Sequence, residues 1–450
     1  MRVAIFTDTY LPEVNGVVTS IESHTRLLAA RGHSVLIVCP KYRKAALTAV
    51  PGVQVRRYHS VSFITNKDTR VALPSMVSVA RLLRRFRPDV VHVHTPLSIG
   101  VIGLATARAM RLPVLQTYHT YIPDFMQYVE PHRLLRLDDL QDRVVNSLIF
   151  ERMFESGTWR RLAGAGWPRR QALDDVGTVA RDVLTSTGPE DRRRLSSRIA
   201  WQYTRTLYNR AELVLTPSVT LQRALEEHGV TVPVEYLSNG IDTGLVVPKA
   251  AYRARGKVLH AGRLGHEKNV DVVLKAFARL AEERPGVTLD IVGDGPAREG
   301  LLRLAERLGV ADRVHMPGFL DRSALAGIYA EYDLFATAST IETQGIVLLE
   351  AMSAGLPVVG VDALAIPELV VDGRNGLIVP PGDDAALATA MGRLLDDEEM
   401  RRRFGEACRE DVRSHALESV VTRLEAIYAE VARDGARAPD VPDSVSPPRR

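Results

Sequence analysis

Lys257-Val258-Leu259-His260-Ala261-Gly262-Arg263-Leu264-Gly265-His266-Glu267-Lys268-Asn269 passes from a short apolar strand pattern straight into a glycine-punctuated turn, and a helical pattern follows. Strand, glycine turn and helix in that order form the building unit of a parallel α/β sheet. Similar apolar runs recur downstream at 288–292, 314–316, 333–336, 357–361 and 376–379. An earlier series lies at 3–7, 34–38, 89–94, 114–117 and 212–216. The architecture therefore repeats, and the expected fold is α/β with two Rossmann-like domains, each a parallel sheet covered by helices on both faces. At 450 residues and 46% hydrophobic content the chain exceeds one ordinary core and suffices for two.

The boundary falls near Asn239, giving a first domain over 1–238, a linker over 239–256 and a second domain over 257–414. Helical periodicity over 415–433 follows, and the Pro-rich segment 434–450 lacks apolar periodicity and is expected to be disordered. Within the first domain, 130–198 is Arg-rich and reads as a helical insertion, either a solvated hairpin or an acceptor or membrane contact. Cys39 and Cys408 are the only cysteines, so neither a disulfide framework nor a zinc site is indicated. No stretch reaches membrane-spanning length, and a cytoplasmic protein, soluble or peripheral at the membrane, is the expectation. A formal charge of +4 and a pI near 9.0 suit anionic membranes or phosphorylated substrates without selecting either, and no nucleic-acid partner is expected.

Parallel sheets bind ligands where their strands end, which directs attention to the loops after strands. Asn15-Gly16 after the first strand opens a helix, and a glycine there lets the backbone approach a phosphate. Arg263 and Lys268 put two cations in a loop whose amides already favour anions, as a departing diphosphate requires. After the strand ending near Ala336, Glu342 precedes the helix that Gly345 opens, and Glu350 lies about two turns further among apolar neighbours. Such carboxylates suit sugar and ribose hydroxyls, and the amides of Gly345, Ile346 and Val347 suit a phosphate. Asp-x-Asp occurs nowhere in the chain, so no metal ligand set for a diphosphate is evident. His92 and His94 share a strand face, where packing or lining a cleft is the expected role.

These pieces together resemble the retaining GT-B glycosyltransferases called family 4. The resemblance rests on Asn15-Gly16, Tyr118-His119-Thr120, Ser238-Asn239-Gly240-Ile241-Asp242, Gly262-Arg263 with Glu267-Lys268-Asn269, Gly293-Asp294-Gly295-Pro296, the Glu342 to Glu350 signature and Gly355-Leu356-Pro357-Val358-Val359. It implies a cleft between the two domains, with a UDP- or GDP-sugar held by the second. Arg263 and Lys268 would neutralise the diphosphate, Glu342 would hold sugar hydroxyls, and Glu350 the ribose. Gly345, Ile346 and Val347 would bind sugar and phosphate, with Asn239 and Asp294 also on the donor side and Gly16 approaching from the first domain. His119 would face the transferred sugar. No metal or other cofactor is implied.

The acceptor falls to the first domain, where Tyr118, Tyr121 and Asp124 lie in an aromatic stretch that looks like the corresponding region of bacterial diacylglycerol glucosyltransferases. Met76, Val79, Ala80, Leu83 and Phe86 form an apolar stripe beside Arg81, Arg84, Arg85 and Arg87, for which packing on the sheet is favoured over lipid insertion. The expected reaction moves glucose from UDP-glucose to diacylglycerol or a glycolipid at an anionic membrane surface. A GDP-mannose-dependent α-mannosyltransferase acting on a phosphoinositide or glycolipid, and a nucleotide-sugar-binding protein without activity, are the alternatives.

Overall fold

The computed structural model describes residues 1–42, 50–62, 70–121 and 189–437. The first sheet contains β1 (Arg2–Phe6), β2 (Ser34–Pro40) and β3 (Val53–Tyr58). A small antiparallel pair, β4 (Val61–Ser62) and β5 (Arg70–Val71), stands apart from it. The sheet then gains β6 (Val90–Val93), β7 (Val114–Thr117), β8 (Leu213–Thr216) and β9 (Val234–Tyr236). Their order is β3-β2-β1-β6-β7-β8-β9, and every pairing is parallel. The second sheet contains β10 (Lys257–Ala261), β11 (Thr288–Val292), β12 (Val314–Gly318), β13 (Leu334–Ala336), β14 (Val358–Val361) and β15 (Gly376–Val379). It runs β12-β11-β10-β13-β14-β15, again all parallel.

Strand order reverses between β1 and β6 in one sheet and between β10 and β13 in the other. At such a reversal the connections leave to opposite sides and open a crevice beyond the strand ends. Val3, Ala4, Ile5 and Phe6 are all buried, as a strand covered on both faces requires. β3 escaped the sequence reading because it is an edge strand: half-exposed Val53-Gln54-Val55-Arg56-Arg57-Tyr58 lacks the continuous apolar run of its neighbours.

Side-chain burial moves three expected boundaries. Val246, Lys249 and Tyr252 are buried against the second domain, with Lys249 donating to the carbonyls of Ala330 and Tyr332, so the crossing is Ser238–Asp242 rather than the whole of 239–256. Residues 122–188, most of the expected insertion, lie outside the described residues. The helix Pro189–Tyr208 runs past position 198 and buries Trp201 and Tyr208 in the first core, so its C-terminal part belongs to the domain proper. Helix Leu417–Arg437 extends beyond 433, taking 434–437 out of the expected disordered tail, and 438–450 lie outside the described residues.

That last helix returns to the first domain. Val421, Leu424, Ile427 and Tyr428 are buried with Val3, Ile5 and Leu115 in one apolar cluster. The chain thus crosses twice, and the crossings are tied where Ile241 N–H donates to His415 O (2.9 Å) and Leu417 N–H to Ile241 O (2.9 Å). Further ties join the domains. The Glu368 carboxylate accepts from the N–H groups of Val219 (2.9 Å) and Thr220 (2.6 Å), Arg322 donates to Ser23 Oγ (3.0 Å), and His24 Nε2 donates to Asn239 O (2.8 Å).

Candidate active site

Central strands of the second sheet exit into helices whose first turns have no side-chain cap among the described residues. After β10 the helix Val270–Glu283 follows Asn269, after β11 Arg298–Arg307 follows Ala297, and after β13 Ile346–Ser353 follows Gly345, none of which caps through its side chain. At the edges the arrangement reverses: Asp321 caps Arg322–Ile328 after β12, and Asp383 caps Asp384–Asp396 after β15. Uncapped helix starts leave N–H groups and the positive end of the peptide dipoles for an outside anion.

In the first domain the corresponding positions are filled. Asn15 Oδ1 accepts from Val18 N–H (3.0 Å) and caps Gly16–Ala30. Buried Asp8 accepts from the N–H groups of Leu97 (2.9 Å), Ser98 (2.8 Å) and Ile99 (2.6 Å), closing Ile99–Ala109 with the protein's own negative charge. Sequence reading gave Asp8 no role, although a carboxylate directly after a first strand is the available signal.

Lys268 and Glu342, from the exits of β10 and β13, meet at 2.7 Å with side chains 20% and 14% exposed. Burial alone would raise the Glu342 carboxyl, but the Lys268 ammonium and its hydrogen bond hold it below its ordinary value. Asn269 Nδ2 donates to Ala338 O (3.3 Å) and Thr340 Oγ1 (3.2 Å), fastening the same two loops. Arg263 is more than half exposed and pairs with Glu267 in its own loop. The two cations expected to act together are therefore held by different carboxylates. Gly293 brings the neighbouring loop close: its φ is +141°, and a Cβ there would stand 1.8 Å from Gly262 O. Asp294, exposed in that loop, accepts Leu264 N–H through its backbone carbonyl (2.9 Å) and lines a cavity of about 430 Å3 with Gly295, Pro296 and Arg298.

Gly345 adopts φ +87°, turning the chain into the helix at Ile346 and Val347. Across the cleft, a Cβ built on Gly16 would lie 3.7 Å from Ile346 Cδ1, so two helix starts face each other. Glu350 is buried and accepts from Arg322 Nε (2.9 Å) and the Tyr329 hydroxyl (3.1 Å), while burial outweighs both in raising its pKa. Neither partner was found from sequence, being 28 and 21 residues away. Asn239 stands at the crossing: its N–H donates to Gln344 Oε1 (2.9 Å) and its carbonyl accepts from His24, which ties the Glu342 to Glu350 segment to the interdomain strap. His260 Nδ1 donates to Ala336 O (2.9 Å), leaving Nε2 buried with no hydrogen-bond partner at the β10–β13 reversal.

His119 Nε2 and His94 Nδ1 are 2.8 Å apart, and burial holds His119 down at about 3, so both rings are neutral near pH 7. His92 bonds Tyr428 Oη (2.8 Å) and Thr117 Oγ1 (2.7 Å), so both its ring nitrogens have protein partners. Tyr118 departs from its expected acceptor-side role. Alternation along the chain turns it away from His119 and into the core, where it is fully buried edge-to-face against Tyr208. Tyr121 is half-buried against Trp201, and Asp124 lies outside the described residues. In the basic helix Met76–Phe86 the residues Val79, Leu83 and Phe86 are buried in the core, whereas Arg81, Arg84 and Arg85 are exposed. No described helix is long and apolar enough to cross a membrane.

Two Rossmann-like domains with strand exits turned to a common cleft define the GT-B fold. Residues 248–411 match the family described as "Glycosyl transferases group 1", and residues 14–153 match "Glycosyltransferase Family 4". The chain is 28% identical over 378 residues to the alpha-monoglucosyldiacylglycerol synthase of Streptococcus pneumoniae, covering 84% of this chain and 75% of that one. It is 29% identical over 446 residues to the GDP-mannose-dependent alpha-mannosyltransferase of Mycolicibacterium smegmatis, covering 96% and 98%. A crystal structure of Anabaena HepE in complex with UDP and glucose superposes with a TM-score of 0.66 at 17% identity, covering 95% and 99%. This chain belongs to the family 4 glycosyltransferases of the GT-B class.

Proposed function

We propose that the protein is a retaining, metal-independent glycosyltransferase that moves glucose from UDP-glucose to a membrane lipid, diacylglycerol or a glycolipid. The observation that carries the donor's placement is the contrast in helix caps: starts without a side-chain cap lie after β10, β11 and β13, and also after β14, where Pro367 occupies the first turn, whereas Asn15 and Asp8 close the starts across the cleft. A diphosphate lying at Gly345, Ile346 and Val347 gains the amides, and Lys268 supplies positive charge as the sugar–phosphate bond breaks. Arg263 adds a second cation at the rim. Glu342 holds Lys268 in place and offers its free lone pairs to the sugar hydroxyls, while Glu350 receives the ribose beside Arg322.

Retention then follows a front-face path: the anomeric carbon passes through an oxocarbenium-like state, and the leaving phosphate oxygen takes the proton of the attacking acceptor hydroxyl. His119, neutral and steadied by His94, lines the sugar's side of the cleft. Domain closure excludes water that would otherwise hydrolyse the donor. The lipid acceptor is supported by similarity to the diacylglycerol glucoside synthase and by exposed Arg81, Arg84 and Arg85, which suit an anionic inner membrane face.

GDP-mannose as donor is the second reading, favoured by the mannosyltransferase relative aligning over 96% of the chain. Purified protein incubated with radiolabelled UDP-glucose or GDP-mannose and mixed phospholipid–diacylglycerol vesicles separates the two. Label entering the lipid phase from UDP-glucose supports the first reading, label from GDP-mannose the second, and transfer only to soluble acceptors removes the lipid acceptor.

A further inference from the structure

Near where the chain crosses between domains a second time, a groove of about 590 Å3 opens between Thr243, just past the first crossing, Ser353, and Arg409 and Arg413, just before the second. Ser353 ends the helix that begins at Ile346, so the groove sits at the opposite end of that helix from Gly345, about 12 Å along its axis. It is therefore separate from the donor cleft.

Charge in this region is unevenly settled. Arg402 holds Glu406, which also lines the groove, and Arg374 holds Glu410 and Asp411. Arg409 and Arg413 have no ion-pair partner among the described residues, although three carboxylates lie within four residues of them. Beside Arg409 lies a further unsatisfied group: the Tyr252 hydroxyl is buried with no hydrogen-bond partner. A Cβ on Gly355 would stand 2.7 Å from that hydroxyl and 3.4 Å from Arg409 Cδ, so the phenol and the arginine's stem border the same glycine. Two arginines four residues apart, with Thr243 and Ser353 lining the same groove, match a tetrahedral dianion better than a carboxylate, because several oxygens must be donated to at once.

We propose that this groove binds a phosphomonoester dianion. The ligand bridges both interdomain crossings, since Thr243 adjoins the first and Arg413 the second. Such a ligand has two sources, a soluble phosphate ester or the headgroup of a phosphomonoester lipid.

Calorimetric titration of the full-length chain with inorganic phosphate tests the site directly, with UDP as a second titrant. Phosphate is expected to bind the wild type whether or not UDP is present, and to bind Arg413→Gln roughly tenfold more weakly or worse, with UDP affinity unchanged. Arg413 is exposed, so its variant should fold even if Arg409→Gln, whose stem packs on Gly355, does not. Co-sedimentation with phosphatidylcholine vesicles, with and without phosphatidic acid, then assigns the source. Arg413-dependent capture by phosphatidic acid names the lipid headgroup, and phosphate binding without capture names a soluble ester. Absence of phosphate binding, equal affinity in Arg413→Gln, or displacement of phosphate by UDP overturns the proposal.

Discussion

Lys268 and Glu342 stand 74 residues apart in sequence and 2.7 Å apart in space, and their pairing separates two roles that single substitutions confuse. Removing Lys268 alone strips charge from the leaving group's side and leaves a mostly buried carboxylate without its cation, a loss on the order of 3–5 kcal/mol in stability. Lys268→Met should therefore lower both the unfolding midpoint and kcat, the latter by 100-fold or more on the order of other lost oxyanion donors. The double variant Lys268→Met/Glu342→Gln should regain much of the stability and none of the turnover. Urea unfolding beside steady-state kinetics reads both; recovery of activity in the double variant would show that Lys268 acts only on Glu342. Each residue was legible as a strand-exit group, because loops after parallel strands are where such folds bind ligands. Their mutual bond was not, since spacing along the chain carries no distance between two separate loops. The same holds for Arg322 on Glu350 and for Asp8 at the start of the helix Ile99–Ala109.

At the level of elements, the helix Leu417–Arg437 completes a domain that the chain left near Ser238. Its periodicity could be read from sequence; its partner could not, because an amphipathic stripe specifies an apolar neighbour without saying which one. Tyr428 shows the consequence, reaching His92 with its hydroxyl while its ring is buried beside β1 and β7 residues. Leu424→Ala should cost about 2–5 kcal/mol in denaturant unfolding, as a buried leucine leaving a cavity does. The first domain should bear the loss, seen as faster amide exchange over β1 and β7 than over β10 and β13. Uniform exchange in both sheets would contradict the assignment of this helix. Strands show the complementary limit: β1, β2 and β10 announce themselves by continuous burial, while β9, with three residues at a sheet edge, has too few to form a pattern. Tyr118 was misjudged for a related reason, since an aromatic stretch near a cleft alternates between core and cleft, and composition does not say which residue takes which side.

Over the whole molecule, neutral buried histidines make the closed arrangement sensitive to acid. Burial lowers His24 from 6.5 to about 4, although its bond to Asn239 O opposes the shift. The unfolded chain then takes up the proton before the folded one does. The stability this group contributes is full above about pH 6.5 and is lost as pH falls towards 4. Between about pH 7 and 5 the loss through His24 alone should be roughly 2 kcal/mol, and buried His92, His94 and His119 shift in the same sense. His24→Gln keeps a donor for Asn239 O and removes the titration, so its unfolding free energy should fall less steeply over that range. An unchanged slope would place the acid sensitivity elsewhere.

A crystal structure of the protein with UDP bound addresses the donor's place most directly. The pyrophosphate is expected within hydrogen-bonding reach, roughly 2.7–3.2 Å, of Lys268 Nζ and of the Ile346 or Val347 amide, with the ribose towards Glu350. Pyrophosphate found instead among Asp8, Asn15 and Leu97 on the first domain, out of reach of Lys268, would contradict the account.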